Sequence, residues 1–328
     1  MIKKNLDFRQ KPYFQRSGNI YLLQDTPCEA ALSLDRIRCA SKAAGGFFNI
    51  LETEAGAYRY FDGYYQGTGE GGVREKNHWQ SVMHGARMIL LWKYRGRISD
   101  KQTDEYNLMA WDGSITERAK MNAKVAGELQ ELAEILNQRA IRAKTAVFTP
   151  RASRKYVELD DGSLAVKDLL HDSIAGAYQI FWDRNVATDI LCEEDMTLEN
   201  LMRYKLILLP FAVVIPKKSA AVLSEYVRNG GTIFADSGSG MQTEECRNCL
   251  HAPGYGLTEV FGVYYNDILS RAAAPAEKIL KNGLVLPVSY GYSILHPSSA
   301  EVYAFYASGT PAIAMNSFGK GKAFFLRS

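Results

Sequence analysis

The 328-residue sequence predicts an α/β chain in two parts: an incomplete (β/α)8-type barrel, then an open, doubly wound sheet of flavodoxin type. Three observations predict this. The apolar, extended run Gly46–Glu52 ends in a carboxylate and passes into Thr53-Glu54-Ala55-Gly56, and the carboxyl end of a strand is where such barrels hold their chemistry. A second run, Ala86–Arg95, ends in aromatic and basic groups, Trp92, Tyr94 and Arg95. Near residue 145 the chain changes character, and short apolar strands begin to alternate with helices.

Each element follows from its local pattern. Ile20–Leu23 is apolar and closes at Asp25-Thr26-Pro27, so a strand is expected. Leu32–Ala43 carries apolar or small residues at Leu32, Leu34, Ile37 and Ala40, the spacing of a helix face. After the Glu52 strand comes a loop rich in Tyr and Gly, Tyr58–Val73. Its Gly67-Thr68-Gly69-Glu70-Gly71-Gly72 lacks the Lys-Ser/Thr of a phosphate loop and suits a flexible site loop better. A helix is expected over Asn77–Ala86, a strand over Met88–Trp92, a polar loop over Asp100–Asp112 and one long helix over Ile115–Arg142. That is β-α-β-α-β-α, the order of a parallel sheet.

The second part is expected to start at Thr145–Phe148. It continues with a helix at Leu169–Trp182, a segment at Ala187–Cys192, a strand over Tyr204–Pro210 and a helix over Ser219–Asn229 closed by Gly230-Gly231. Thr232–Ala235 is the next strand, and Ala312–Asn316 with Gly319–Phe325 form two more around a Gly-bearing turn. The domains so read are 1–143 and 144–328.

Composition excludes several classes. With 39 basic and 36 acidic residues the net charge is +3, and no basic run suggests a nucleic-acid partner. Lys217-Lys218 and Arg151–Lys155 read as solvated faces. No apolar stretch is long enough for a membrane helix, and Met1–Arg16 is polar and basic, unlike a secretion signal. The five cysteines (Cys28, Cys39, Cys192, Cys246 and Cys249) are scattered, which fits a reducing cytoplasm. Cys246-Arg247-Asn248-Cys249 is a lone pair with only His251 nearby, short of the four ligands of a structural zinc site, so neither metal nor cofactor is expected.

Taken in order, these segments resemble the carboxyl-terminal half of a family 42 glycoside hydrolase, the β-galactosidases that carry a trimerisation domain. Phe48–Gly56 is similar to the family's seventh barrel strand and His84–Arg95 to the eighth. Ser33–Arg38 resembles the helix before the seventh strand, and Asp112-Gly113-Ser114 with Arg118 the turn into the last barrel helix. Leu206–Pro210, Val227–Gly231, Gly256–Val263 and Asn316–Lys322 are similar to the trimerisation domain, whose fold is like that of class I glutamine amidotransferases. The resemblance spans residues 17–328 and implies the last three strands of the barrel followed by that domain.

It also implies retaining hydrolysis of terminal β-galactosides or related oligosaccharides, with Glu52 as nucleophile and a homo-oligomer, a trimer, as the assembled form. The departures are specific. The family's acid/base Glu lies on the fourth strand, which has no counterpart here. Tyr60 stands where the family commonly has Trp. Asp104 and Asn107 stand where it has a Glu and a His that bind galactose hydroxyls. No Cys follows Leu206–Pro210, so glutaminase activity is not expected.

Retaining hydrolysis needs two carboxyl groups about 5–5.5 Å apart, one to attack and one to protonate the leaving oxygen. Glu52 is the candidate nucleophile and Glu54 its competitor, because the two share a strand face only if the strand continues past Glu52. Tyr60 and Trp92 suit either a sugar platform or core packing, whereas Trp79, on an outer helix, suits the core. Arg95 suits a hydroxyl contact or a strand-end ion pair, and Asp104 and Asn107 complete the candidate binding set. The alternative function is a non-catalytic carbohydrate-binding or assembly protein derived from such an enzyme. Three barrel strands alone would expose two edges and an inner face, a predicted association surface.

Overall fold

The structure, a computed structural model, describes residues 19–21, 27–43, 48–56, 58–59, 65–66, 73–99, 103, 105–138, 141–159, 164–270, 291–306 and 309–327. The chain is α/β and divides into two compact units, Met1–Arg142 and Ala143–Ser328.

In the first unit β1 (Asn19–Tyr21), α1 (Pro27–Ala43) and β2 (Phe48–Glu54) are followed by a two-stranded pair, β3 (Tyr58–Arg59) and β4 (Tyr65–Gln66). Then come α2 (Val73–Met83), β5 (Ala86–Trp92), α3 (Glu117–Glu131) and α4 (Ala133–Gln138). Strands β1, β2 and β5 form a parallel sheet in that order. Alternation on β2 turns Phe48 and Ile50 onto α1, where they pack with Leu34, Ala86, Ile37 and Ile89. Below this core a buried carboxylate ties α1 to the turn before β5: Asp35 accepts from Arg38 Nε at 2.8 Å and from His84 Nδ1 at 2.9 Å.

The element order was legible in the sequence; several bounds were not. Helix α1 starts at Pro27, five positions before the expected Leu32, because Glu29 in the first turn suits the helix dipole and proline is tolerated at a first position. The long helix expected over Ile115–Arg142 is two helices that divide at Leu132, the cap of the first, with φ −96° and ψ 0°. No Gly or Pro marks that division. Residues 105–109, expected as polar loop, are irregular, with Tyr106 at φ +59°, and hydrogen-bond to the chain just past β5.

In the second unit β6 (Thr145–Phe148), α5 (Arg151–Leu159), α6 (Leu164–Trp182), β7 (Thr188–Leu191), α7 (Leu198–Leu201) and β8 (Leu206–Leu209) come first. They are followed by α8 (Lys217–Arg228), β9 (Thr232–Asp236), α9 (Leu257–Phe261) and β10 (Val263–Ser270). The unit ends with β11 (Gly291–Pro297), β12 (Glu301–Phe305), β13 (Pro311–Phe318) and β14 (Gly321–Leu326). Seven strands form one sheet in the order β12-β13-β14-β9-β8-β6-β7. The strands from β14 through β7 run parallel, while β12 and β13 are antiparallel additions, so the sheet is mixed. An antiparallel β10–β11 pair stands outside it.

Alternation again sets the core. Ile233 and Ala235 of β9 and Ala323 and Phe325 of β14 are buried against α8 and α9, with the rings of Phe261 and Phe325 edge-on at 5.4 Å. The expected cap of α8 is present: Gly230 has φ +112° and Gly231 lies against the Tyr226 ring, where no Cβ would fit. Helix α5 and strands β10, β11 and β12 were not expected. Arg151–Lys155 is the first turn of α5 rather than a simple charged surface, with Ser153 and Val157 turned into the core.

Candidate active site

At the carboxyl end of the first unit's sheet, β2 does not keep its alternation. Asn19 and Ile20 of β1 pair with Asn49 and Ile50, but Tyr21 pairs with Glu52, so Leu51 is an extra residue, a β-bulge. The register against β5 shifts over the same stretch, from Ile50–Ile89 to Thr53–Leu91. In consequence Leu51 and Glu52 are both exposed although they are neighbours on one strand. The strand then continues through Thr53 and Glu54, two residues beyond the expected end at Glu52, and Glu54 pairs with Trp92. Glu54 is half-buried there and Glu52 is not. Burial and the bulge distinguish two carboxylates that sequence spacing left as competitors.

Trp92 ends β5 at 37 % exposure, and its carbonyl accepts from Ala55 N at 2.8 Å. The Trp92–Lys93 peptide is cis. Past it the chain is laced to residues 106–109. Lys93 N donates to Tyr106 O at 2.6 Å, Leu108 N to Lys93 O at 2.8 Å and Met109 N to Tyr94 O at 2.7 Å. Asn107 is therefore clamped between the ends of β2 and β5. A Cβ at Gly56 would overlap its main chain, and one at Gly96 would sit 3.2 Å from its Nδ2. Its side chain is buried and donates to Met109 O at 2.9 Å, while its carbonyl accepts from Arg118 Nε at 2.6 Å.

Arg95, expected as a hydroxyl contact or an ion-pair partner, points its Nε at a main-chain oxygen, that of Trp111, at 3.0 Å. Trp111 opens a tight turn, Ala110–Ser114, in which Asp112 Oδ1 accepts from Ser114 N at 2.8 Å. That bond, with the Ser114 hydroxyl, holds the Asp112 carboxyl below its usual range. The structure thus gathers Glu52, Trp92, Arg95 and Asn107 at one end of one sheet. Tyr60, Asp104 and the loop 67–72 lie outside the described residues. Sequence reasoning missed the bulge at Leu51 and the exposed Trp111. The Asp-Gly-Ser turn next to Trp111 was the signal that could have drawn attention to it.

The matching end of the second unit's sheet is filled. Ligands of doubly wound sheets bind where the strand order reverses, here between β6 and β8. There Ser153 Oγ donates to Val214 O at 3.0 Å and accepts from Val214 N at 2.9 Å. Phe211, at φ +44°, follows β8 where a nucleophilic cysteine would be needed, and Gly238 makes room for its ring. Asp236, at the end of β9, accepts from Phe211 N at 2.7 Å and from Ser239 Oγ at 3.0 Å. Burial pushes its carboxyl up to about 6. Among the described residues no three His, Cys, Asp or Glu are grouped to hold a metal. No described helix is long and apolar enough to cross a membrane.

The two folds define a class: an α/β protein that presents a carboxylate and a tryptophan at the end of a parallel sheet and carries a mixed-sheet module without an open strand-end crevice. The family model for the beta-galactosidase trimerisation domain matches residues 143–328, and the chain belongs to that family. Among curated relatives, β-galactosidase LacZ of Lactobacillus acidophilus is 27 % identical over 263 residues, 78 % of this chain and 38 % of the relative. β-Galactosidase BgaP of a Planococcus species is 25 % identical over 268 residues, 78 % of this chain and 39 % of the relative. The solved β-galactosidase of Bacillus circulans sp. alkalophilus shares the fold at a TM-score of 0.82 and 23 % identity, across 94 % of this chain and 46 % of that one. The chain spans less than half the length of these relatives.

Proposed function

We propose that this chain is part of a retaining β-galactosidase of glycoside hydrolase family 42, acting on terminal β-galactosides or related oligosaccharides. Glu52 is the nucleophile, which attacks the anomeric carbon to form a glycosyl–enzyme intermediate that water then hydrolyses. Trp92 lies beside it as a sugar-facing ring. Arg95 and Asn107, both committed to main-chain partners, shape the site instead of holding hydroxyls themselves. The single observation that carries the reading is the bulge at Leu51, which brings Glu52 out of the sheet at the strand end, two residues before the Glu54–Trp92 pair.

In this reading β1, β2 and β5 are the last three strands of a (β/α)8 barrel. Three features support it. Among the described residues β5 pairs on one side only, and its Met88 and Leu90 are exposed. Between α2, β5 and α3 lies an open groove of about 330 Å³ lined by Val82, Ile89, Leu91, Val125 and Leu129. The Asn122 Oδ1 atom in its wall is buried without a hydrogen-bond partner. These are the marks of a surface that further strands cover. The second unit, in the amidotransferase-like reading, joins copies of the chain into a homo-oligomer, a trimer by family likeness.

The test uses leaving groups. The barrel's acid/base has no counterpart in this chain, so hydrolysis by the chain alone is expected only for galactosides whose leaving group departs without a proton, such as dinitrophenolate. A fluorinated galactoside that traps the intermediate should add its mass to the peptide containing Glu52. Labelling elsewhere, or turnover that survives Glu52→Gln, removes Glu52 from the role.

A further inference from the structure

We propose that Trp111 is a sugar-stacking platform for a second pyranose, beyond the unit that is cleaved, and that Arg95 is the positioning residue that holds it. The inference rests on the glycosidase reading above and adds a residue that nothing in the sequence had singled out.

Trp111 is ordered without being buried. The Trp111 side chain is 55 % exposed, so packing does not hold it. Its main chain is nevertheless fixed from several sides. Arg95 Nε grips its carbonyl at 3.0 Å, Ala110 N reaches Ser114 O at 3.1 Å, and Gly113 N reaches Ala110 O at 2.9 Å. Asp112 closes the turn through Ser114 N, and Gly113, at φ +89°, is packed over the Arg95 guanidinium. The segment is also anchored to the candidate site, because Met109 N bonds Tyr94 O, two residues past Trp92. A charged side chain from the end of β5 therefore fixes the backbone beneath an indole that faces solvent.

A rigid exposed aromatic loses little freedom when a ligand covers it, which is why such rings serve as binding platforms. The C–H face of a pyranose is the complementary surface, and the ionised Asp112 beside the indole offers an acceptor for ring hydroxyls. Tyr94, 69 % exposed, extends the same rim. A β-linked galacto-oligosaccharide offers a second pyranose for this rim; a monosaccharide does not.

The experiment is calorimetry of the 328-residue chain with galactose and with β-linked galacto-oligosaccharides of two to five units, alongside Trp111→Ala, Trp111→Phe and Arg95→Ala. Affinity of the unaltered chain should rise with length, and Trp111→Ala should remove about a fivefold to tenfold share of that rise. Trp111→Phe should keep most of it, and Arg95→Ala should lose part while its indole emission no longer shifts to the blue on binding. If Trp111→Ala keeps the full dependence on length, the platform is wrong. If it instead changes the particle mass in light scattering, the ring is a subunit contact and the proposal is overturned. Failure of the unaltered chain to bind any length overturns the glycosidase reading, and this inference with it.

Discussion

Both units carry a carboxylate near the carboxyl end of a parallel strand, and the two are treated in opposite ways. Glu52 leaves the sheet through a bulge and stands exposed two residues before the Glu54–Trp92 pair. Asp236 is tied to Phe211 N and Ser239 Oγ, and the crevice around it is filled by Phe211 and bridged by Ser153. Position in a fold therefore does not make a carboxylate reactive. What matters is whether the surrounding backbone releases it or satisfies it. In the proposed reading one strand end meets a substrate, while the other holds two loops together.

The largest expected effect breaks the comparison at its functional pole. Glu52→Gln should lower hydrolysis of an activated galactoside by at least about 1000-fold, as loss of a nucleophile does elsewhere, with an unchanged melting profile. Asp236→Asn should leave that rate where it was. A comparable fall in both, measured as initial rates, would dissolve the contrast.

The next pair of substitutions probes the two backbones. Gly238→Ala places a Cβ 2.6 Å from the Phe211 ring at a φ of +88°. It should cost the second unit about 2–4 kcal/mol in urea unfolding, the sum of overpacking and left-handed strain. Gly56→Ala drives a methyl into the Asn107 main chain and should loosen the segment laced to β5, seen as faster amide exchange at Lys93 and Leu108. An unchanged exchange rate would mean that Asn107 is not clamped in solution.

A smaller effect appears in the pH dependence. The Asp236 carboxyl titrates near 6 in the fold, above the roughly 3.9 of an unfolded chain, so the folded state holds the proton more tightly. Its contribution to stability is therefore full below the unfolded value and is lost as pH rises through about 6. Between pH 5 and pH 7.5 the unaltered chain should lose more stability than Asp236→Asn does. Parallel urea midpoints across that range would show that the group is not shifted. Last, Asn122→Leu should stabilise the isolated chain by about 1 kcal/mol, because it replaces a buried, unpartnered amide oxygen with apolar surface.

How much of this the sequence disclosed depends on how local the cause is. The β2 and β5 runs, the β8 strand and the Gly230-Gly231 cap were legible because alternation, apolar runs and glycine act over a few residues. The bulge was not, since Ile50-Leu51-Glu52 looks like any strand and the extra residue exists only relative to β1 and β5. Arg95 was noticed but its partner was not, because a main-chain oxygen sixteen positions on leaves no trace in side-chain pattern. Strands β10 to β12 went unread because their pairing is long-range and their apolar content modest. The break at Leu132 has no sequence signal that we can identify.

The bulge also bears on how this strand can change over generations. Straightening β2 with Leu51 in place would turn Glu52 onto the face of Ile50, toward α1, whereas removing Leu51 would restore a regular ladder and leave Glu52 opposite Tyr21. A one-residue deletion that looks disruptive on paper would thus keep the glutamate on its face of the strand. The bulge therefore absorbs a change of one residue in length, and a descendant that keeps the glutamate but loses Leu51 should not be counted as inactive on that ground.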